Sequence, residues 1–378
     1  QLQVYTDDPC AVIRGRPADI RRMVTVMALF WLAIGWGLSF HKAQLGKSVN
    51  WVGFSFTITK TDVIVSIKED FMVEFKKLVT DLARQRRVPL EVVRSFAGKA
   101  NHICNLLVAW RPFIIELWAA IYSDSSISSR KVWVKQIVST LSWMLVFLSG
   151  QQGSLTRQWN SNEFLNPHAP GTLYLDASPW GLGGILVINS QVHSFFACKL
   201  TKFDVKLLGI VIGESDSQQK CEALAVLVAM KLWISVLVSK KIVVTLTSDN
   251  MAALSLIAEM KARISPIIAR ELALVLSETS FQPRFIQHLP GVMNQYADAL
   301  SRIYEPGSKH SVPEDLKKFR RLHPPVRDAL FYTALAHTPQ GGDHFCERLL
   351  GRSGGTSFSY SLLASFITYY LVKPTLSK

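Results

Sequence analysis

Cysteine is scarce in this sequence and follows no spacing. Cys10, Cys104, Cys198, Cys221 and Cys346 are scattered through 378 residues, with no CxxC pair and no Cys/His array. That excludes a structural zinc site of the usual kind and a disulfide framework, and it fits reduced thiols in an intracellular protein, cytoplasmic or nuclear. A starting Met and a signal-peptide pattern are also lacking, so the chain reads as a fragment of a longer polyprotein. Apolar runs of bilayer length are lacking too. Val24 to Phe40 is almost wholly apolar, but it is shorter than the ~20 residues a span needs and holds Gly35 and Gly37. A buried helix running into a strand is expected there, with no membrane partner. No internal repeat is visible. Acidic residues are in deficit: 28 Asp and Glu face 42 Lys and Arg, a net charge of +14. Such a balance favours a polyanionic partner without naming it.

What is present is apolar enough to fold, with 49% hydrophobic residues and two or three domains expected from the length. Residues 1–60 read as short strands around a helix: Leu2–Tyr5 as a strand, Ala18 to about Ile34 as a helix, Asn50–Ile58 as one strand. Residues 61–150 read as helical. Lys68–Arg87 is rich in charge, a second helix opens at Pro89, and Trp110-Arg111-Pro112 marks a break before Phe113–Tyr122. Ser123–Ser129 reads as a linker and Arg130–Leu148 as a further helix. The polar stretch 151–170 is the clearest domain boundary. Residues 171–303 then give the order βββαβααβα, a mixed α/β sheet with helices on its faces. Residues 304–378 carry no strong pattern beyond the basic run Lys317-Lys318-Phe319-Arg320-Arg321.

Four acids fall at telling places in that order. Asp176 ends the first strand of the 171–303 region, Asp249 ends the fourth, Glu222 sits in the long apolar helix, and Asp298 sits in the last helix. Strand ends of an open sheet face one crevice, so Asp176 and Asp249 meet if their strands are neighbours. A carboxylate on an apolar helix face is expensive unless it is paired or binds a cation. Clustered carboxylates repel, and a divalent metal relieves the repulsion. Two such ions about 4 Å apart can activate water on one side of a phosphodiester and stabilise the leaving oxygen on the other. Hard oxygen ligands suit Mg2+ or Mn2+. Singly, each acid has a plainer reading: Asp176 capping the turn before Pro179, Asp249 as a helix N-cap, Asp298 as a solvated helix residue. Together the four favour the metal site.

Asp176-Ala177-Ser178-Pro179-Trp180-Gly181-Leu182-Gly183-Gly184, the helix with Glu222, Ser248-Asp249-Asn250, and the segment from His288-Leu289-Pro290-Gly291 to Ala297-Asp298 resemble the type 1 ribonuclease H domain of retroelements, gypsy-like or DIRS-like. The resemblance covers about a third of the chain. It implies that Asp176, Glu222, Asp249 and Asp298 bind two metal ions and that His288 serves product release or proton transfer. Glu214 and Asp216 compete for the role of second acid; Glu222 is preferred because it lies inside the helix. The implied activity is metal-dependent cleavage of the RNA strand of RNA–DNA hybrids.

The beginning of the chain agrees. Tyr5-Thr6-Asp7-Asp8 resembles the paired-aspartate turn of reverse transcriptases, and Trp51-Val52-Gly53-Phe54 resembles the strand that grips the primer. The implied architecture is a truncated palm over 1–60, a helical thumb and connection over 61–150, a linker over 151–170, a ribonuclease H domain over 171–303 and a tail over 304–378. Asp7 and Asp8 are then a polymerase-site remnant, with polymerisation expected only of a complete parent protein that supplies the missing N-terminal part. Lys76, Lys77, Arg84, Arg86 and Arg87 are candidate phosphate contacts, and Ser178 and Asn250 candidate contacts to the hybrid beside the acids. The alternative is a non-catalytic nucleic-acid-binding remnant of a decayed element, which metal-dependent cleavage separates from the first reading.

Overall fold

The computed structural model describes residues 2–5, 8–13, 15–160, 170–240, 242–260, 264–279 and 285–332. At the start, β1 (Leu2–Tyr5) pairs antiparallel with β2 (Asp8–Ala11). Helix α1 (Pro17–Ala33) forms where the sequence places it, with Pro17 at its first turn. It is not buried as expected. No residue of α1 is buried, and Phe30, Leu29 and Trp36 are exposed. An apolar run shows that a surface is sticky; it does not show what covers it.

The single strand expected over Asn50–Ile58 is a hairpin, β3 (Ser48–Trp51) and β4 (Phe54–Ile58). Val52 and Gly53 turn between them at φ 48° and 80°. Both central residues lie at positive φ, the geometry that suits the twist of a two-residue hairpin. A Cβ on Gly53 would meet His102 Nε2 at 2.6 Å, so glycine is needed there for the contact as well as the turn. β5 (Asp62–Ile67) extends this sheet, and β8 (Thr156–Asn160) closes it in the order β3-β4-β5-β8. Residues 156–160 were expected to be linker; they pair with β5 because alternation buries Arg157 and Trp159, a pattern hidden by their polar atoms.

The helical region is α2 (Glu69–Ala83), α3 (Leu90–Leu106), α4 (Arg111–Ile121), α5 (Asp124–Ser129) and α6 (Val138–Leu148). Two expectations fail here. The serine-rich linker is helix α5. Arg130–Leu148 is not one helix, since β6 (Arg87–Pro89) pairs with β7 (Lys131–Trp133) before α6 starts. That pairing spans more than forty residues of sequence, beyond the reach of local periodicity.

The largest sheet has six strands: β9 (Pro170–Ala177), β10 (Gly181–Ile188), β11 (Gln191–Lys199), β12 (Val243–Ser248), β13 (Phe285–His288) and β14 (Arg320–Arg321). Their order is β13-β12-β9-β10-β11-β14. β9, β10 and β11 are antiparallel neighbours; β12 runs parallel to β9 and β13 parallel to β12. The expected element order holds, with one addition, the short helix α7 (Lys202–Leu208). Helix α8 (Gln218–Ser239) covers one face with a buried row from Cys221 to Met230. The stretch Ser215–Ser239 is, among the described residues, the one helix long and apolar enough to cross a membrane, and most of it is buried. Helices α9 (Met251–Glu259) and α10 (Pro266–Thr279) pack on the same side. Helix α11 (Gln295–Ser301) and the short α12 (Glu314–Lys317) take the other, where Leu300 and Leu316 join Ile185 and Phe195 in a second core.

Residues 304–332 show order that no sequence pattern announces. β14 joins the edge of the sheet at β11. Beyond it, Arg327 Nε donates to Asp204 Oδ2 at 2.8 Å and Tyr332 Oη donates to Asp204 Oδ1 at 2.8 Å, all three buried. Lys231 Nζ donates to Glu271 Oε2 at 2.8 Å and to the Phe331 carbonyl. Charges this buried persist only when paired. The helical region is tied to the sheet by Arg270, which donates to Glu116 Oε1 at 2.6 Å, and by Arg111, which donates to the Glu259 carbonyl at 3.2 Å.

Candidate metal centre

β9 and β12 are parallel neighbours, registered Tyr174 to Thr247, so Asp176 and Asp249 emerge side by side from their carboxyl ends. Thr247 Oγ1 donates to the Leu173 carbonyl at 2.8 Å and fixes the register. Along β9, Leu173, Leu175 and Ala177 join the core under α8; Asp176 therefore shares the opposite face with Tyr174, towards α11. Glu222 comes from the first turns of α8. Its carboxylate is held by Gln218 Nε2, which donates to Oε1 at 2.9 Å and also to the Ala177 carbonyl. Ligand oxygens of Asp176, Glu222 and Asp249 all lie within 4.8 Å of one another.

The plainer roles for these acids are filled by neighbours. Asn250, not Asp249, caps α9: its Oδ1 accepts from Ala252 N at 2.9 Å and Ala253 N at 3.1 Å. Ser178, not Asp176, closes the turn after β9, accepting from Gly181 N at 3.1 Å. Asp249 and Asp176 are left facing the crevice.

Asp298 comes from α11, whose approach depends on glycine. A Cβ on Gly183 would stand 2.5 Å from the Ala297 carbonyl and 2.8 Å from Leu300 Cβ; one on Gly181 would stand 2.7 Å from the Ser301 carbonyl. Without side chains there, α11 lies directly on β10, and Ser301 Oγ donates to Asp176 Oδ2 at 2.6 Å. Asp298 lies beside this cluster rather than in it. Its Oδ1 accepts from Arg302 Nε at 2.6 Å. Asn294, buried, donates to the Leu175 carbonyl at 2.9 Å and fixes the start of α11 against β9. Sequence reasoning missed Gln218, Asn294 and Ser301 as positioning residues. Only tertiary contacts reveal them.

Asp176 is 6% exposed and Glu222 3%. Burial pushes the Asp176 carboxyl up to about 7; the Ser301 hydrogen bond opposes this, and the charges of Asp298 and Asp249 add to it. Burial likewise lifts Glu222 well above the usual carboxylate range, with Asp176 and Asp249 adding to it. Among the described residues, no basic side chain pairs with Asp176, Glu222 or Asp249. Three converging carboxylates, two of them buried, without a cationic partner are a donor set that fits a hard divalent cation.

His288 ends β13 opposite Ser248, exposed at the rim, with Nε2 3.1 Å from the Asp249 carbonyl oxygen. Ser178 is a correction. It is buried and its hydroxyl donates to the Ser301 carbonyl at 2.8 Å, so it has no surface to offer a ligand. Asn250 commits its Oδ1 to the cap. Glu214 and Asp216 lie before α8, outside the cluster. Lys76, Lys77, Arg84, Arg86 and Arg87 are exposed in and after α2, in the helical region. Asp7 lies outside the described residues, as does the side chain of Asp8.

No family-level profile matches the chain, and no curated protein matches it in sequence. Among solved structures it is similar to the foamy viral protease-reverse transcriptase dRH in complex with dsDNA, at 16% identity and TM-score 0.33, over 76% of this chain and 46% of that one. The foamy viral protease-reverse transcriptase in complex with RNA/DNA hybrid is 14% identical at TM-score 0.31, with 76% and 35% covered. The same enzyme with dsDNA is 16% identical at TM-score 0.33, with 76% and 54% covered. The chain thus spans between about a third and a half of those chains. No function follows from a likeness of this size.

Proposed function

We propose that this chain hydrolyses the RNA strand of RNA–DNA hybrids at the carboxylate centre, as the ribonuclease H part of a retroelement reverse transcriptase. One observation carries the reading: Asp176, Glu222 and Asp249 converge within 4.8 Å at the carboxyl ends of two parallel strands. Asp298, turned from Arg302, is the fourth ligand. Mg2+ or Mn2+ held there would supply the activation of water and the charge relief at the leaving oxygen. Gln218 and Ser301 hold Glu222 and Asp176 in place, and His288 at the rim serves proton transfer or product departure. The water oxygen bonds to phosphorus and the P–O3′ bond breaks, leaving a 5′-phosphate and a 3′-hydroxyl.

In the same reading residues 1–60 belong to a palm, 61–150 to a thumb and connection, and the nuclease domain runs from 171 past 303 to include the buried contacts of Arg327 and Tyr332. The test is incubation of the purified chain with labelled hybrid, single-stranded RNA and duplex DNA in Mg2+ and in Mn2+. Cleavage confined to the RNA of the hybrid and abolished by chelator supports the proposal. Binding without cleavage by folded protein contradicts it and favours a non-catalytic remnant.

A further inference from the structure

The ribbon β6–β7 has two dissimilar faces. Its register pairs Arg87 with Trp133, Val88 with Val132 and Pro89 with Lys131. Val88 and Val132 are buried, so strand alternation puts Arg87, Pro89, Lys131 and Trp133 together on the solvent side. Trp133 is 38% exposed, and the Arg87 guanidinium sits 3.6 Å above its ring centroid, with the Lys135 ammonium at 5.4 Å. A guanidinium stacked on a ring by its flat face keeps its in-plane N–H donors free for a ligand, and such donors recognise phosphate. Arg86 and Lys135 flank the ribbon and are exposed. Among the described residues, Arg86, Arg87, Lys131 and Lys135 form no side-chain hydrogen bond or ion pair. The neighbouring Glu91 is engaged with Arg94 at 3.5 Å and Arg130 at 3.8 Å.

A loosely solvated basic face does not fix its cations; here an aromatic ring orders one of them before any ligand arrives. Pro89 is the one aliphatic side chain on this face, too little to enter a bilayer, and its one large ring is occupied by Arg87. Arg270 and Arg111 tie the helical region to the sheet that carries the carboxylates, so a duplex seated on the ribbon keeps a fixed relation to them. We propose that the outer face of β6–β7 docks the sugar–phosphate backbone of a nucleic-acid duplex, without reading bases, and so holds the hybrid served by the carboxylate centre. The identity of this polyanion rests on the proposed function.

The test is fluorescence anisotropy of a labelled RNA–DNA hybrid with the full chain in EDTA, where cleavage does not interfere, over a salt series. The triple variant Arg87→Ala/Lys131→Ala/Lys135→Ala should lose about tenfold or more in affinity, and its log K against log salt slope should flatten by about 0.9 per contact removed. The double variant Lys131→Gln/Lys135→Gln keeps the Arg87–Trp133 stack and covers the case in which the triple variant folds poorly. Arg21→Ala/Arg22→Ala/Lys42→Ala removes the same formal charge elsewhere and should leave affinity within about threefold. Equal losses in patch and control variants overturn the proposal. So does a patch variant that binds hybrid like the parent but loses binding to phosphatidylserine vesicles, which would make the face a membrane contact. If the parent binds but never cleaves, and the patch variants lose binding, the docking face stands while the nuclease reading falls. If the parent cleaves and the patch variants bind and cleave alike, the docking face alone falls. A parent that does not bind hybrid overturns both.

Discussion

Replacing Asp176 by Asn should stabilise the metal-free chain at pH 8 and do little at low pH. The Asp176 carboxyl is raised from an ordinary 3.8 to about 7, chiefly by burial. A carboxyl with a raised folded-state pKa binds more protons folded than unfolded between those values, so stability falls as pH rises. Its contribution is intact below about pH 4 and lost as pH passes 7. Three pK units at about 1.4 kcal/mol each give about 4 kcal/mol as an upper bound. Asp249 is open to water and Asp298 is paired with Arg302, so solvent and Arg302 screen part of the repulsion; about 2–3 kcal/mol is the working figure. For a domain of this size that is roughly 5–10 °C in Tm. Asn keeps an acceptor for Ser301 Oγ and adds no charge. The assay is thermal melting of parent and variant in EDTA from pH 5 to pH 8, read as the difference between the two proteins at each pH. The difference should grow towards pH 8, and Mg2+ should raise the parent's Tm most where that difference is largest. A difference that is flat with pH, together with no response of the parent to Mg2+, would refute the reasoning.

Two further substitutions test the scaffold. Gly183→Ala forces a methyl against the Ala297 carbonyl and Leu300; it should destabilise by about 1–3 kcal/mol in a denaturant titration and depress hybrid cleavage by displacing α11. Arg327→Ala leaves Asp204 buried beside Tyr332 without its cation, and an unfolding titration should show a loss of about 3–5 kcal/mol; a loss under 1 kcal/mol would mean that residues 327–332 contribute little to the fold.

How much of this was legible follows the range of the interactions. The 171–303 elements were readable because their strands alternate or are β-branched, and because Ser265-Pro266 punctuates the helices. The acids were readable by their places at strand ends and on an apolar helix. The adjacency of β9 and β12, on which the meeting of Asp176 and Asp249 depends, needed the structure. Misses cluster where pairing is distant or charge is buried. β7 is three residues long and finds β6 far away in sequence. Val52 is no usual turn former, so two strands of a hairpin read as one. Residues 320–332 are anchored through Asp204 and Lys231, pairs no periodicity encodes. Ser178 looked available because it neighbours an acid, whereas its hydroxyl is spent on the Ser301 carbonyl.

Asp249 is the best single probe of the centre. It is exposed, it does not cap α9, and Asn250 keeps that role in a variant. Cleavage of the hybrid by the parent and by Asp249→Asn should therefore be compared at equal folded fraction, confirmed by matched thermal melts. The account predicts Mg2+- or Mn2+-dependent cleavage by the parent and a loss of at least about a hundredfold in Asp249→Asn, with hybrid binding retained. Equal cleavage by the two proteins would contradict it and place any activity elsewhere than the carboxylate centre.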